Sequence, residues 1–321
     1  MFKNALREWV ILLQIYILHI QKCADRMGHF CVCYPLVLRT KLAFGNVRRA
    51  PLYFNLNVIK NPAVSICTGI SAYKKLETNN ASNNLQLFDS LNTEQKCQVS
   101  LFVDTLLEWN QRMNLTAVTE RCAVMERHVE DSLTLLPIIE NAYSKHCSAI
   151  ETPKFKVVDV GSGAGLPGVI LAIARPDWQV TLIEPRQKRC CFMENFVELS
   201  SISNIQIVRI RAEDAGQNPE FREMYDVAVA RAVAEMRVLA EYCLPLIRVG
   251  GLFVAAKGYE PQEEVKNAKK AIGLLGAFIL QLCSVASEGP YGQRTAVLCL
   301  KDRPTPAKYP RHLGLPAKLP L

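Results

Sequence analysis

The chain has no paired-cysteine signature. Its 321 residues include twelve cysteines, but none stands in a C-x-x-C pair or in a Cys/His cluster at metal-ligand spacing. Cys31 and Cys33 are two apart, Cys190 and Cys191 adjacent, and the others scattered. They therefore read as thiols used for packing, with no metal site and no disulfide framework. Long apolar runs are also missing. Val10 to Ile20 is interrupted by Gln14 and His19 and is too short to span a bilayer. Acidic residues are scarce in one place only. Residues 1–76 hold eleven Lys/Arg against Glu8 and Asp25, leaving 27 basic and 28 acidic residues for the remainder of a chain whose totals are 38 and 30. The net charge of +8 thus belongs to the beginning of the chain, and bulk charge gives no argument that the body binds nucleic acid. Internal repeats and low-complexity tracts are absent as well.

Residues 1–85 lack the periodicity of a domain. Pro35, Pro51 and Pro62 interrupt any helix, Arg39, Lys41, Arg48 and Arg49 supply positive charge, and ETNNASNN at 77–84 reads as a linker. The segment resembles an organellar transit peptide, although poorer in serine. A signal-peptide core without a clear cleavage site and an extension upstream of Met27 are the alternatives.

What is present centres on KVVDVGSGAGLPG, residues 156–168. Val157, Val158 and Val160 with Asp159 read as a buried parallel strand. Gly161, Gly163 and Gly165 follow at alternate positions, and Val169 to Ile173 open a helix. Such a loop brings backbone N–H groups and a helix N-terminus close to a ligand. Spacing sorts the ligand classes. A phosphate-cradling loop needs a lysine and a hydroxyl residue after its last glycine, and Gly168 is followed by Val169 and Ile170. The dinucleotide fingerprint needs a glycine at the sixth position, where counting from Gly161 gives Leu166; from Gly163, the sixth is Gly168 only as part of a glycine-rich run. What remains is acidic-x-G-x-G-x-G, Asp159 to Gly165, the loop of class I S-adenosylmethionine (SAM) methyltransferases.

A helical preface over 86–150 precedes this loop. Asn92 or Thr93 with Glu94 and Gln95 marks a helix start, and Val99, Phe102, Val103, Leu106 and Leu107 give one apolar face. A second helix is expected through RHVEDSL, 127–133, closing at Pro137. After the loop, VTLIE (180–184) is a second strand ending in Glu184, 23 residues beyond Gly161. An acid there is placed to hold a ribose hydroxyl pair, with charge-assisted hydrogen bonds of about 1.5–3 kcal/mol each. IQIVRIRAED (205–214) is expected as a third strand ending in Glu213 and Asp214, YDVAVARAVA (225–234) as a fourth carrying Arg231, and GGLFVAAKG (250–258) as a fifth carrying Lys257. A helix around 261–275 and strands near 279–286 and 294–300 complete residues 151–302. A basic, proline-rich tail, 303–321, follows.

WN-x-x-x-NLT at 109–116, RH-x-x-DS at 127–132, DVGSGAGLPG at 159–168, KR-x-x-F at 188–192, RA-x-A at 231–234 and KG at 257–258 together resemble the RsmG (GidB) family of small-subunit rRNA guanine-N7 methyltransferases, over roughly residues 90–321. The resemblance implies an α/β, Rossmann-like class I fold with a mostly parallel seven-stranded sheet. It implies SAM as cofactor, ribosomal RNA or the small ribosomal subunit as partner, and cofactor contacts from Gly161, Leu166, Ala212, Glu213 and Arg231. Asp159, Gly163 and Gly165 from the loop, and Glu184 from the ribose argument, complete the candidate cofactor site. Two departures stand out. Ala230 replaces the serine the family often has before the arginine, and Gly314, Leu315 and Pro316 stand where its more basic tail usually reads G-T-P.

Absent motifs agree with this chemistry. Exocyclic-amine methylation usually uses N/D-P-P-Y/F after the fourth strand, where ARAV stands, and carbon-5 methylation of pyrimidines uses a cysteine, typically after a proline, a pair this chain lacks. Guanine N7 already exposes a lone pair, so no catalytic acid or base is named and catalysis is positioning. Arg or Lys can bond guanine O6; Asn114, Arg127, His128, Arg231 and Lys257 are the substrate-side candidates. Structural readings compete: His128 as a helix hydrogen-bonder, Asn110 or Asn114 as a helix cap, Arg127 with Asp131 as a surface ion pair, and Arg186, Lys188 and Arg189 as a solvated face rather than phosphate contacts. A small-molecule methyltransferase on the same fold and a non-catalytic RNA-binding ribosome-assembly factor are the rival functions. The basic extension on a bacterial-type enzyme points to plastids, with mitochondria second, and no membrane association.

Overall fold

A computed structural model describes residues 86–147, 154–231, 234–289 and 292–321; the transit-peptide reading of 1–85 lies outside them. The preface opens with α1 (Gln86–Ser90) and α2 (Thr93–Met113). Asn92 caps α2: its side chain accepts the Gln95 N–H at 2.9 Å, while the Gln95 side chain accepts the Asn92 N–H at 3.0 Å, so two N–H groups that the helix cannot use are satisfied. The apolar stripe Val99, Phe102, Val103 and Leu106 is buried, with Phe102 edge-on to Phe196 at 5.2 Å. Next come α3 (Arg121–Val124), a π-helical turn (Met125–Glu130), α4 (Asp131–Leu133) and α5 (Leu135–His146). Pro137 does not close a helix as the pattern suggested. It sits in the first turn of α5, where the missing proline N–H has no intrahelical partner to lose.

The sheet unit runs β1 (Lys156–Val160), α6 (Gly168–Ala174), β2 (Gln179–Ile183), α7 (Gln187–Ser200), β3 (Ile205–Val208), α8 (Ala212–Gln217), β4 (Tyr225–Arg231), α9 (Met236–Cys243), β5 (Ile247–Lys257), α10 (Gln262–Leu274), β6 (Ala277–Gly289), β7 (Gly292–Lys301) and α11 (Leu315–Lys318). Strand order is β3-β2-β1-β4-β5-β7-β6. β1 to β5 pair in parallel, and β7 runs antiparallel to both of its neighbours. This is the Rossmann-like, mostly parallel seven-stranded sheet expected.

Both faces of the sheet are covered, which explains the unbroken apolar strands. Val157, Leu252, Val254 and Leu298 enter a core shared with α2, α6 and α7. Their neighbours Val158, Phe253, Ala255 and Val297 enter a second core with α9 and α10. Cys243 and Cys299 lie in that second core, where burial pushes the Cys299 thiol up to about 12 and the Cys243 thiol well above its ordinary value. Strand order reverses between β1 and β4, and the crevice at that switch point is where ligands bind in such sheets.

One strand is shorter than the sequence pattern suggests. β3 stops at Val208, opposite Ile183, the last residue of β2. The Ile210 N–H then turns back onto the Val208 carbonyl at 3.0 Å, and Glu213 and Asp214 fall in the first turn of α8. Negative charge is favourable at a helix start, so these acids begin a helix rather than end a strand.

Candidate cofactor site

The loop leaving β1 needs its glycines for two different reasons. Gly161, Gly163 and Gly165 all have left-handed backbones, with φ of +72°, +60° and +83°, which L side chains rarely adopt. At Gly168 the reason is space: a Cβ there would lie 2.3 Å from Leu182 Cδ2, so α6 packs directly on β2. The N–H groups of Gly161 and Ser162 donate to the Ile183 carbonyl at 2.9 and 3.1 Å, fastening the loop to the end of β2.

Two acids brace this loop. Asp159 is buried, and its Oδ2 accepts the Gly168 N–H at 2.9 Å, tying the start of α6 to β1. Its Oδ1 has no partner among the described residues, and burial pushes its pKa up to about 7. Glu184, 2% exposed, follows β2. Its Oε2 accepts the Gly163 N–H at 2.9 Å and its Oε1 the Arg186 N–H at 2.9 Å, while Arg189 Nη1 lies 3.3 Å from Oε2. Arg189 is therefore part of the site rather than of a solvated face.

These groups border a cavity of about 480 Å³ at the carboxyl ends of the central strands. Gly161, Gly163, Leu166, Glu184, Ala212, Glu213 and Arg231 line it. Asp159 and Gly165 act from behind the lining: Asp159 by the bond to Gly168, and Gly165 by packing, since a Cβ there would lie 2.5 Å from Val169 Cγ2. Ile183 and Pro185 supply apolar wall, and Tyr242 of α9 lines the cavity beside Glu213, with which its phenol hydrogen-bonds. Burial first, then Glu213, raises the Tyr242 phenol to about 12, so it stays a hydroxyl.

Of the substrate-side candidates, His128 and Arg231 reach the cavity. His128 Nδ1 lies 3.1 Å from the Arg127 carbonyl and Nε2 lies 2.7 Å from Thr116 Oγ1. A carbonyl can only accept, so Nδ1 carries the proton and Nε2 takes the Thr116 hydroxyl hydrogen. Burial, helped by Arg231, lowers the imidazole to about 4, which keeps it neutral near pH 7. Arg231 Nη1 donates to Asp131 Oδ2 at 2.8 Å, Arg294 donates to the same oxygen at 2.5 Å, and Ser287 Oγ donates to Oδ1 at 2.7 Å. Asp131 is thus not a surface partner of Arg127; it is a buried anchor between two arginines.

The other three candidates lie elsewhere. Asn114 is exposed and forms the left-handed C-cap of α2, φ +49°; Asn110 holds the next turn through the Thr116 N–H and carbonyl, both at 2.9 Å. Arg127 is exposed on the π-helical turn. Lys257 Nζ is engaged by the Ala234 carbonyl at 2.8 Å and Glu264 at 2.6 Å. Sequence reasoning missed Thr116, Tyr242 and the role of Asp131. Thr116 and Asp131 lie inside the NLT and RH-x-x-DS motifs, whereas nothing in the chain around Tyr242 marks it out.

The donor set fits SAM. A buried carboxylate at the end of β2 suits a vicinal diol, apolar wall suits a purine face, and the bare backbone at Gly163 leaves the cradle open, since even an added Cβ would find nothing nearer than Arg189 Nη1 at 3.6 Å.

The model of the family described as rRNA small subunit methyltransferase G matches residues 95–294. The ribosomal RNA small subunit methyltransferase G of Symbiobacterium thermophilum is 44% identical over 228 residues, covering 70% of this chain and 89% of its own. The protein of the same name from Moorella thermoacetica is 40% identical over 232 residues, covering 72% and 92%. That from Alkaliphilus oremlandii is 41% identical over 240 residues, covering 74% and 94%.

Proposed function

Because the chain belongs to the rRNA small subunit methyltransferase G family, we propose that it methylates N7 of a guanine in small-subunit ribosomal RNA with SAM as methyl donor. The observation that carries the reading is the left-handed glycine cradle clasped by Glu184 at the reversal of strand order. When bound, SAM supplies a methyl group made electrophilic by its sulfonium. Glu184 Oε1 accepts only the Arg186 N–H and keeps a further lone pair, while Oε2 is shared by the Gly163 N–H and Arg189 Nη1, so the carboxylate can take one ribose hydroxyl directly and the second in place of Arg189 without releasing the loop. Leu166 and Ile183 supply apolar wall, and Ala212 with Glu213 borders the same cavity.

On the guanine side the protein has only to position. The N7 lone pair is available at neutral pH, and His128 moves no proton: its one N–H is given to a carbonyl and its lone pair is occupied by Thr116. Holding the ring nitrogen in line replaces acid–base chemistry. Arg231, held by Asp131, puts a fixed positive charge at the cavity, able to bond guanine O6.

The direct test incubates the protein with methyl-labelled SAM and small-subunit rRNA, free and in the assembled particle, and maps 7-methylguanosine by strand scission. Label in a base other than guanine, or none in either substrate, would overturn the reading. Residues 1–85 serve as a plastid presequence in this proposal, with mitochondria as the alternative destination. A fluorescent protein fused behind them should enter the organelle; fluorescence left in the cytosol would dismiss that role.

A further inference from the structure

The last twenty residues are basic and rich in proline, which suggests a tail held out towards RNA. Their contacts point elsewhere. Arg311 grips the fully buried Glu241 of α9 four times: its backbone N–H and Nε donate to Oε1 at 2.8 and 2.9 Å, and Nε and Nη2 donate to Oε2 at 3.2 and 2.7 Å. Arg222 donates to the carbonyls of Gly216, Thr305 and Tyr309 at 2.6, 2.6 and 2.8 Å, so one guanidinium joins the end of α8 to the segment. Gln217 adds bonds to the carbonyls of Ala307 and Pro310 at 3.2 and 2.7 Å. The segment also packs hard on α8, where a Cβ on Gly216 would come 2.7 Å from Pro310. Finally, the Gly314 N–H donates to Glu213 Oε1 at 3.0 Å, and Glu213 lines the cofactor cavity.

We propose that residues 302–321 form a strap that positions the cofactor site, with Gly314 orienting Glu213 and Arg311 as the positioning residue that holds the strap closed. α8 is six residues long, too short to be stable without tertiary support. Its first turn nevertheless carries Ala212 and Glu213 into the cavity, and Glu241 immediately precedes Tyr242, which lines the cavity beside Glu213. The strap is bonded to both helices, so it fixes how Glu213 and Tyr242 sit against each other at the cavity. Cofactor occupancy and strap closure are then linked, and each must favour the other by the same factor.

This inference rests on reading the cavity as the cofactor site, and the test separates the two. In the full-length protein, Arg311→Ala should raise the Kd for S-adenosylhomocysteine and the KM for SAM by about tenfold, leave the KM for rRNA unchanged, and be partly rescued in Arg311→Lys. A folded Arg311→Ala protein with wild-type affinity for S-adenosylhomocysteine, or one in which only the rRNA KM rises, would overturn the strap. Should that variant fail to fold, the wild-type protein decides. Saturating S-adenosylhomocysteine should slow amide hydrogen exchange within 305–319 by about tenfold, and unchanged exchange overturns the proposal. A wild-type protein that binds no S-adenosylhomocysteine would instead sink the cofactor reading on which the strap depends.

Discussion

Glu184 accepts two backbone N–H groups within the protein itself, so its loss should loosen the glycine loop as well as remove the ribose contacts. Glu184→Ala is expected to weaken S-adenosylhomocysteine binding about tenfold or more; calorimetry showing less than a twofold change would remove the residue from the site. Asp159 makes a prediction in pH. Burial raises its pKa from 3.8 to about 7, so in that window the folded chain keeps a proton that the unfolded chain has released. Its contribution to stability is complete below the unfolded value and is lost as pH rises towards 7, with a slope approaching about 1.4 kcal/mol per pH unit. Asp159→Asn cannot titrate. Urea denaturation should therefore show the stability difference shifting in the variant's favour from pH 4 to 7 and then levelling; a pH-independent difference would mean the carboxyl stays ionised throughout. The glycines, Asp159 and Glu184 could be read from the chain because local backbone geometry demands them. Asp131 could not, since its partners Arg231 and Arg294 lie 100 and 163 residues away and only the fold brings them together.

The preface and the sheet meet at that same carboxylate. α4 carries Asp131, β4 carries Arg231 and β7 carries Arg294, so one side chain sets where three elements join. Asp131→Ala would leave two largely buried guanidinium groups without their counter-ion, and an unfolding free energy lower by about 3 kcal/mol or more is expected in chemical denaturation. A loss under 1 kcal/mol would show that water replaces the pair. α6 offers a steric test. Gly168→Ala puts a methyl against Leu182 and Asp159, and overpacking of this kind costs about 1–3 kcal/mol, readable as a lower thermal midpoint. The strands were legible because a sheet buried on both faces demands continuous apolar runs. The excess assigned to β3 has an equally physical origin. Residues 209–214 alternate like a strand, but β3 lies at the sheet edge and its neighbour β2 ends at Ile183, so residues beyond Val208 find no ladder to join.

For the molecule as a whole, the glycine cradle, both acids and the strap all lie within residues 86–321. A chain of residues 86–321 should thus methylate small-subunit rRNA at a rate within about twofold of the full-length protein, activity being set by site geometry. A truncation that is folded by circular dichroism yet inactive would assign the leading segment a part in the reaction. What the sequence could not convey at this scale is closure: the final twenty residues look like a basic appendage until Arg222, Arg311 and Gly314 are seen holding them to α8 and α9. The buried thiols have a practical consequence of their own. Cys190, Cys243 and Cys299 are enclosed in the core while Cys122 stands in solvent, and alkylation requires an accessible thiolate. Among the described cysteines, iodoacetamide should label Cys122 quickly and the enclosed three only as the chain opens. Mass spectrometry of the late-labelled peptides would then time the opening of the core without any added probe.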